Sequence, residues 1–323
     1  NTLLSVFLTI ILAKVLGVKG FGIYAFCISL VNILCVPAML GGQQFLVRDV
    51  AAYKTKVAFN ILQGLLLRFR QMSLLVSLFL ALAVFLIGWW MYQETRMIMI
   101  FGLSLCLVPL LSTMRLQGAV LRGLQHVVLG QLAFSLRPAL VIIIISSTYW
   151  LINGRINPEF AIIAQLVSCV FLVLVFYFLL RQALPYNKKN NVPVYETSRW
   201  IKSILPFIVA SSMHIINQES SLFLLGILQG PEDVGLFRVA QRATSFIPFS
   251  LQAVNMAIGP KISELFTKND KLRLQSLINK SIPAVMVFAL PVAISLIFFG
   301  SWILYWILGP EYTGAHIPMI ILC

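Results

Sequence analysis

The sequence predicts an all-α, multi-pass membrane protein with about ten transmembrane helices, and three observations predict it. Of its 323 residues, 60% are hydrophobic and 11% are charged, where a soluble domain carries about 25% charged residues. The mean hydropathy is +0.94, so the chain could not cover its own surface with polar groups in water. The apolar residues also come in runs of about twenty, the length that crosses a bilayer core, rather than the shorter patches of a globular interior.

In chain order the apolar segments are 1–16, 21–46, 72–92, 97–118, 127–151, 159–181, 203–227, 234–258, 283–308 and 313–323. Helix breakers and polar residues mark the links: Gly17 to Gly20, Asn153-Gly154, Asn157-Pro158, Gly230-Pro231 and Gly309-Pro310. Two longer stretches, 48–71 and 260–282, read as short amphipathic helices on the membrane surface; in the second, Ile262, Leu265, Phe266, Leu274, Leu277 and Ile278 would dip into the interface beside basic neighbours. The stretch 182–199, with Pro185, Asn187, Lys188, Lys189 and Pro193, has a linker composition. The chain starts inside one apolar run and ends inside another, so it is expected to be a piece of a protein with twelve or more helices.

The net charge is +14. In a soluble protein that would point to nucleic acid; here it is the excess that holds loops on one side of a membrane, and no nucleic-acid partner is expected. Arg48, Lys54, Lys56, Arg68, Arg70, Arg115, Arg122, Arg181 and the basic residues of 188–202 and 261–280 fall on one side, while the other has Lys14, Lys19, Arg96 and Arg155. The basic side is expected to face the cytoplasm. The five cysteines, Cys27, Cys35, Cys106, Cys169 and Cys323, lie in apolar segments without a C-x-x-C pair. They read as small buried hydrophobes, with no disulfide and no metal site expected.

The sequence repeats itself. Gly22-Ile23-Tyr24 matches Gly235-Leu236-Phe237, 213 residues on, and the same offset pairs Gly17 with Gly230 and Trp89 with Trp302. The unit holds six helices, an even number, so both copies keep one orientation and would be related by an axis along the membrane normal. The expected organisation is an N-terminal six-helix bundle over 1–181, a cytoplasmic linker over 182–202 and a C-terminal bundle over 203–323.

An ionisable residue at the bilayer centre costs at least about 2.5–3.5 kcal/mol, so it marks a partner, a wet cavity or a substrate. Four qualify: Arg137, Glu219, Arg238 and Arg242. Arg137 is about 15 Å into its segment and Arg242 about 12 Å into its own, at 1.5 Å per residue. Segment 234–258 has a polar face of Arg238, Gln241, Arg242, Ser245, Gln252 and Asn255, and segment 203–227 has one of His214, Asn217, Gln218 and Ser221. Glu219 points away from that second face and could pair with Arg238 or Arg242. Under the repeat, Val6, Ala25 and Ser29 stand opposite Glu219, Arg238 and Arg242, so the architecture alone does not require these charges. Surplus arginine suits an anion: guanidinium is always charged and binds phosphate oxygens with two donors. Arg137, Arg242 and Arg238 are the candidate ligands for a lipid diphosphate. Glu219 and His214 are candidates for coupling or counter-charge, and Gln241, Ser245, Gln252, Asn255, Asn217 and Gln218 for cavity lining. Buried ion pairs and hydrogen bonds that merely hold helices together are the plainer alternative. There is no Walker-type phosphate loop, H-E-x-x-H or nucleophile elbow, so neither an enzyme nor a cofactor is expected.

Ala13-Lys14-Val15-Leu16-Gly17 followed by Gly20-Phe21-Gly22-Ile23-Tyr24 resembles the first hairpin of the bacterial polysaccharide-unit flippases. Val234-Gly235-Leu236-Phe237, Ala240-Gln241-Arg242 and Pro260-Lys261-Ile262-Ser263 resemble their second half. These proteins belong to the multidrug, oligosaccharidyl-lipid and polysaccharide exporter superfamily. The resemblance implies a transporter of the bacterial inner membrane with twelve to fourteen helices in two bundles. It would flip an undecaprenyl-diphosphate-linked oligosaccharide, of the O-antigen, lipopolysaccharide, capsule or exopolysaccharide kind, by alternating access. Its partners would be that substrate, membrane lipids and other polysaccharide-assembly membrane proteins. A cation-coupled drug exporter or a lipid II flippase of the same superfamily would share the fold. The first would favour acidic and aromatic cavity residues over arginine. A membrane glycosyltransferase or polymerase would need a large outward loop, and the outward links here are short.

Overall fold

The computed structural model describes residues 2–91, 95–152, 157–184, 192–248 and 270–323, together with the single positions 251, 254, 258, 262 and 265. Its regular elements are helices α1 (Thr2–Ala38), α2 (Gly42–Thr55), α3 (Phe59–Met91), α4 (Thr95–Leu105), α5 (Leu107–Gly123), α6 (Val127–Ile152), α7 (Pro158–Ala183), α8 (Thr197–Leu228), α9 (Pro231–Thr244) and α10 (Lys271–Leu308), then a 3-10 turn (Pro310–Ala315) and α11 (His316–Leu322). Among the described residues, five stretches are long and apolar enough to cross a membrane: Leu3–Ala38, Phe59–Trp90, Thr95–Gly123, Pro158–Ala183 and Arg273–Leu308. The chain is an all-α, multi-pass membrane protein.

Several boundaries differ from the sequence reading, each for a local reason. The second apolar segment, 21–46, ends early, because its helix stops at Ala38 and α2 starts at Gly42. The expected break after 1–16 stands at Gly17, whose φ of 69° and ψ of 173° interrupt α1 in a conformation that glycine adopts without strain. The stretch 48–71 is not one surface loop. Its first part belongs to α2, which is capped by hydrogen bonds from Val57 N to Lys54 O and Ala58 N to Tyr53 O. Its second part is the start of α3, which reaches thirteen residues earlier than expected and carries Arg68 and Arg70 within the helix. Val57 ends α2 in the left-handed region with φ 56°, where glycine is the usual residue, so no breaker announced the turn. Gln125, with φ 69°, ends α5 the same way. Residues 192–200 of the expected linker are held in place: Val194 N donates to Asn60 O at 3.1 Å, and the Trp200 indole donates to the Tyr53 hydroxyl at 3.1 Å. The 185–191 part lies outside the described residues.

The described residues group into two compact units, Ile23–Gly230 and Asn1–Gly22 with Pro231–Cys323. The expected division at 182–202 follows the repeat boundary, a different criterion. In the first unit α5 is the hub, packing on α2, α3, α4, α6 and α7. Its small residues let neighbours approach: the Gly118 carbonyl lies against Gly130 of α6, and Gly123 lies against Val50 of α2. The outward face of α3 is a stripe of exposed Leu75, Leu78, Phe79, Leu82 and Leu86 that ends in Trp89 and Trp90. Such a stripe is stable only against lipid, and tryptophan favours the headgroup level.

In the second unit the N-terminal part of α1 meets α9. A methyl group on Gly22 would collide with the Pro231 carbonyl, and one on Gly235 would sit 2.6 Å from the Val18 carbonyl. Gly22 pairs with Gly235, and Val18 with Pro231, under the same 213-residue offset. The two contacts are therefore one contact repeated with the copies exchanged, as expected where a pseudo-twofold axis passes between repeat-related glycines. α3 and α10 also begin at nearly equivalent positions, Phe59 and Lys271, and both put the paired Trp89 and Trp302 on the exposed surface. Tyr312 is buried and its hydroxyl donates to Ala13 O at 2.8 Å.

Candidate functional site

The interior of the Ile23–Gly230 unit has a polar cluster assembled from five helices. Glu219 on α8 is buried, with 8% of its surface exposed, and its Oε1 accepts from Asn32 Nδ2 on α1 at 3.1 Å. Asn32 Oδ1 accepts from Arg115 Nη2 on α5 at 2.8 Å. The amide therefore bridges a cation and an anion with both of its ends, which is the way a neutral group can couple two charges too far apart to touch. Arg137 on α6 is a charged neighbour of both Arg115 and Cys169 on α7. Cys35, one turn beyond Asn32 on α1, has both arginines as charged neighbours, and its thiol donates weakly to Val108 O at 3.8 Å.

The helix geometry explains the meeting. Asn32 is twelve residues beyond Gly20, about 18 Å along the helix. Arg115 starts about 27 Å along its own segment by the same rise. Its side chain tilts toward the N-terminus of α5 and reaches back to the depth of Asn32. Arg115 is thus half-buried inside the bundle, not on the cytoplasmic surface where the charge count put it. Two guanidiniums face one carboxylate here, so the cluster carries surplus positive charge in a low-dielectric setting, where an anion is strongly attracted.

The other site candidates divide between the units. Arg238, Gln241, Arg242 and Ser245 belong to the Pro231–Cys323 part. Arg238 is buried and its Nη1 donates to Gln241 Oε1 at 2.9 Å, one turn along α9. The Ser245 hydroxyl turns back to donate to Arg242 O at 2.6 Å, and the Arg242 side chain is half-buried. Asn217 and Gln218 are exposed while Glu219 is buried, so the carboxylate does point away from that polar face. The His214 side chain, Gln252 and Asn255 lie outside the described residues. Of the cysteines, Cys27, Cys35 and Cys169 are buried, but Cys106 and Cys323 are exposed, against expectation.

The sequence reading missed Asn32, Arg115, Cys35 and Cys169. Asn32 had a visible signal, as a single amide in the apolar run Ile28 to Pro37. Gln165 had the same signal, and its amide donates to the Tyr24 hydroxyl at 2.5 Å between α7 and α1. A search confined to ionisable residues passes over both.

Comparisons with known proteins agree with this architecture. The chain superposes on an inward-facing multidrug resistance MATE family transporter of the MOP superfamily with a TM-score of 0.72, at 16% identity, over 99% of this chain and 76% of that one. It superposes on the MATE multidrug transporter DinF-BH with a TM-score of 0.59, at 14% identity, over 94% of this chain and 70% of that one. At such identities the likeness shows the fold. Over 131 residues the chain is 27% identical to a Haloferax volcanii protein described as "Probable low-salt glycan biosynthesis flippase Agl15", an alignment spanning 40% of this chain and 28% of that relative. The family model for "Polysaccharide biosynthesis protein" matches residues 1–266, and the chain belongs to that family.

Proposed function

We propose that the chain is part of a flippase that moves a lipid-linked glycan across a membrane, with Arg115 and Arg137 taking the lipid's phosphate groups. The observation that carries the reading is the surplus of guanidinium over carboxylate inside the first unit. A resting interior of that sign attracts a polyanionic headgroup, and each arginine can give two parallel donors to phosphate oxygens. Asn32 and Glu219 satisfy Arg115 while no substrate is present, and the incoming phosphate competes with that bridge. Arg242 and Arg238 on α9, with Gln241 and Ser245, are in this reading a second cationic group for the headgroup, one that the repeat does not require because Ala25 and Ser29 stand at the equivalent positions. The substrate in this reading is an undecaprenyl-diphosphate-linked oligosaccharide, and the membrane is the bacterial inner membrane. Two six-helix halves, 1–181 and 203–323, would rock about the repeat axis to open the site alternately to each leaflet. A flippase needs no bond-making residue, because its work is differential binding in two states.

The test is complementation. The full-length gene is expressed in a bacterium lacking its O-antigen flippase, and surface polysaccharide is stained. Restored polysaccharide supports the reading. Absence of restoration with the protein in the membrane, together with drug efflux that this chain confers on a sensitive strain, would replace it by the drug-exporter alternative.

A further inference from the structure

A cavity of about 120 Å³ opens between α3, α5 and α7, below Leu46 of α2. A cavity that size has room for several water molecules or one small headgroup. It is separate from the arginine cluster: Gln117, on its wall, is about 200° around α5 from Arg115.

Two features of its lining are independent of each other. Gln63 Oε1, Ser73 Oγ and Gln117 Oε1 are buried there without a hydrogen-bond partner. Gln63 is 8% exposed and Ser73 is 1% exposed. Buried polar atoms are normally satisfied, so three in one cavity call for an occupant that donates. The second feature is at the rim, where Arg70 and Arg181 are exposed and, among the described residues, no acidic side chain lines the cavity. Arg70 lies over the Tyr177 ring at 5.8 Å, which holds its guanidinium beside the opening. Leu66, Leu67, Leu180 and Leu184 supply an apolar wall. An occupant that suits all three conditions has a phosphate, a hydrogen-bond donor beside it, and a hydrocarbon chain.

We propose that this cavity is a headgroup site for a phospholipid, with the phosphate on Arg70 and Arg181 and a neighbouring ammonium or hydroxyl donating to Gln63, Gln117 and Ser73. The site stands apart from the transport reading and does not depend on it. It would anchor a resident lipid where α3 and α7 reach the basic side of the membrane.

Native mass spectrometry of the full-length, delipidated protein tests it, with phosphatidylethanolamine, phosphatidylglycerol, phosphatidylcholine and a polyprenyl phosphate added at equal concentration. The phosphatidylcholine headgroup has a phosphate but no N–H or O–H donor. Retention of the ethanolamine or glycerol lipid should exceed that of the choline lipid by about tenfold, the worth of one charge-assisted hydrogen bond. The exposed-residue double variant Arg70→Ala/Arg181→Ala should lose this retention with an unchanged size-exclusion profile. Gln63→Leu should bring the ethanolamine lipid down to the level of the choline lipid. Equal retention of all three phospholipids would overturn the donor assignment, and retention of the polyprenyl phosphate above every phospholipid would overturn the phospholipid assignment. Undiminished retention by the double arginine variant would overturn the site.

Discussion

The two units hold their interiors together by different means. Around Gly22 and Gly235 the second unit brings two backbones so close that neither position has room for a methyl group. The first unit has its own close approach, Gly118 to Gly130, but around Arg115 it bridges its helices with long side chains, Arg115 to Asn32 to Glu219, with Arg137 alongside. Close backbone packing gains dispersion contacts and leaves no space for a ligand. A bridge of long polar side chains holds charge in a region that another charged group can enter. The difference teaches that the repeat-related glycines hold backbones in contact, while the polar bridge around Arg115 is where the proposed binding chemistry would lie.

The largest effect should come from Gly22→Val. The collision is with the Pro231 carbonyl, which cannot rotate aside like a side chain, so the loss should reach about 3 kcal/mol or more. Membrane level and thermal unfolding in detergent measure it; a variant that accumulates and melts like the parent breaks the tight half of the comparison. Next comes Arg137→Ala, expected to lower export at least about tenfold at unchanged membrane level, with Arg137→Lys less damaged because the charge remains. If Arg238→Ala is the worse of the two alanine variants, the binding chemistry belongs to α9 instead. Asn32→Leu removes both bridging hydrogen bonds and should destabilise by about 1–2 kcal/mol, the worth of interhelical polar contacts in membranes. A double-mutant cycle with Glu219→Gln checks that the two act as a unit, and additive losses would mean that they do not. The smallest effect is at the outward surface. Arg96 Nε donates to Glu159 Oε1 at 2.6 Å, but Arg96 is exposed. Arg96→Ala should cost less than about 1 kcal/mol and lose even that in high salt.

Legibility in the sequence followed the range of the interaction. The long apolar helices and the break at Gly17 were readable because each is set by residues within a few turns of one another. The turns at Val57 and Gln125 were not, because left-handed conformations there are imposed by capping bonds on residues that do not favour them. The contact of Glu219 with Asn32 on α1 was not legible either, because the two lie 187 positions apart in the chain.

By itself the sequence determined the solvent of this protein, its helical class and the repeat. Those are sums or periodicities over many residues, and no single contact changes them. Only the tertiary structure decided which charges meet. Arg115 is on the basic side by position along its helix, but its side chain runs back to Asn32 inside the bundle. A long side chain on a helix covers about one turn of depth and can face any neighbour, so its partner is fixed by how the helices are rotated and packed, which no local pattern records.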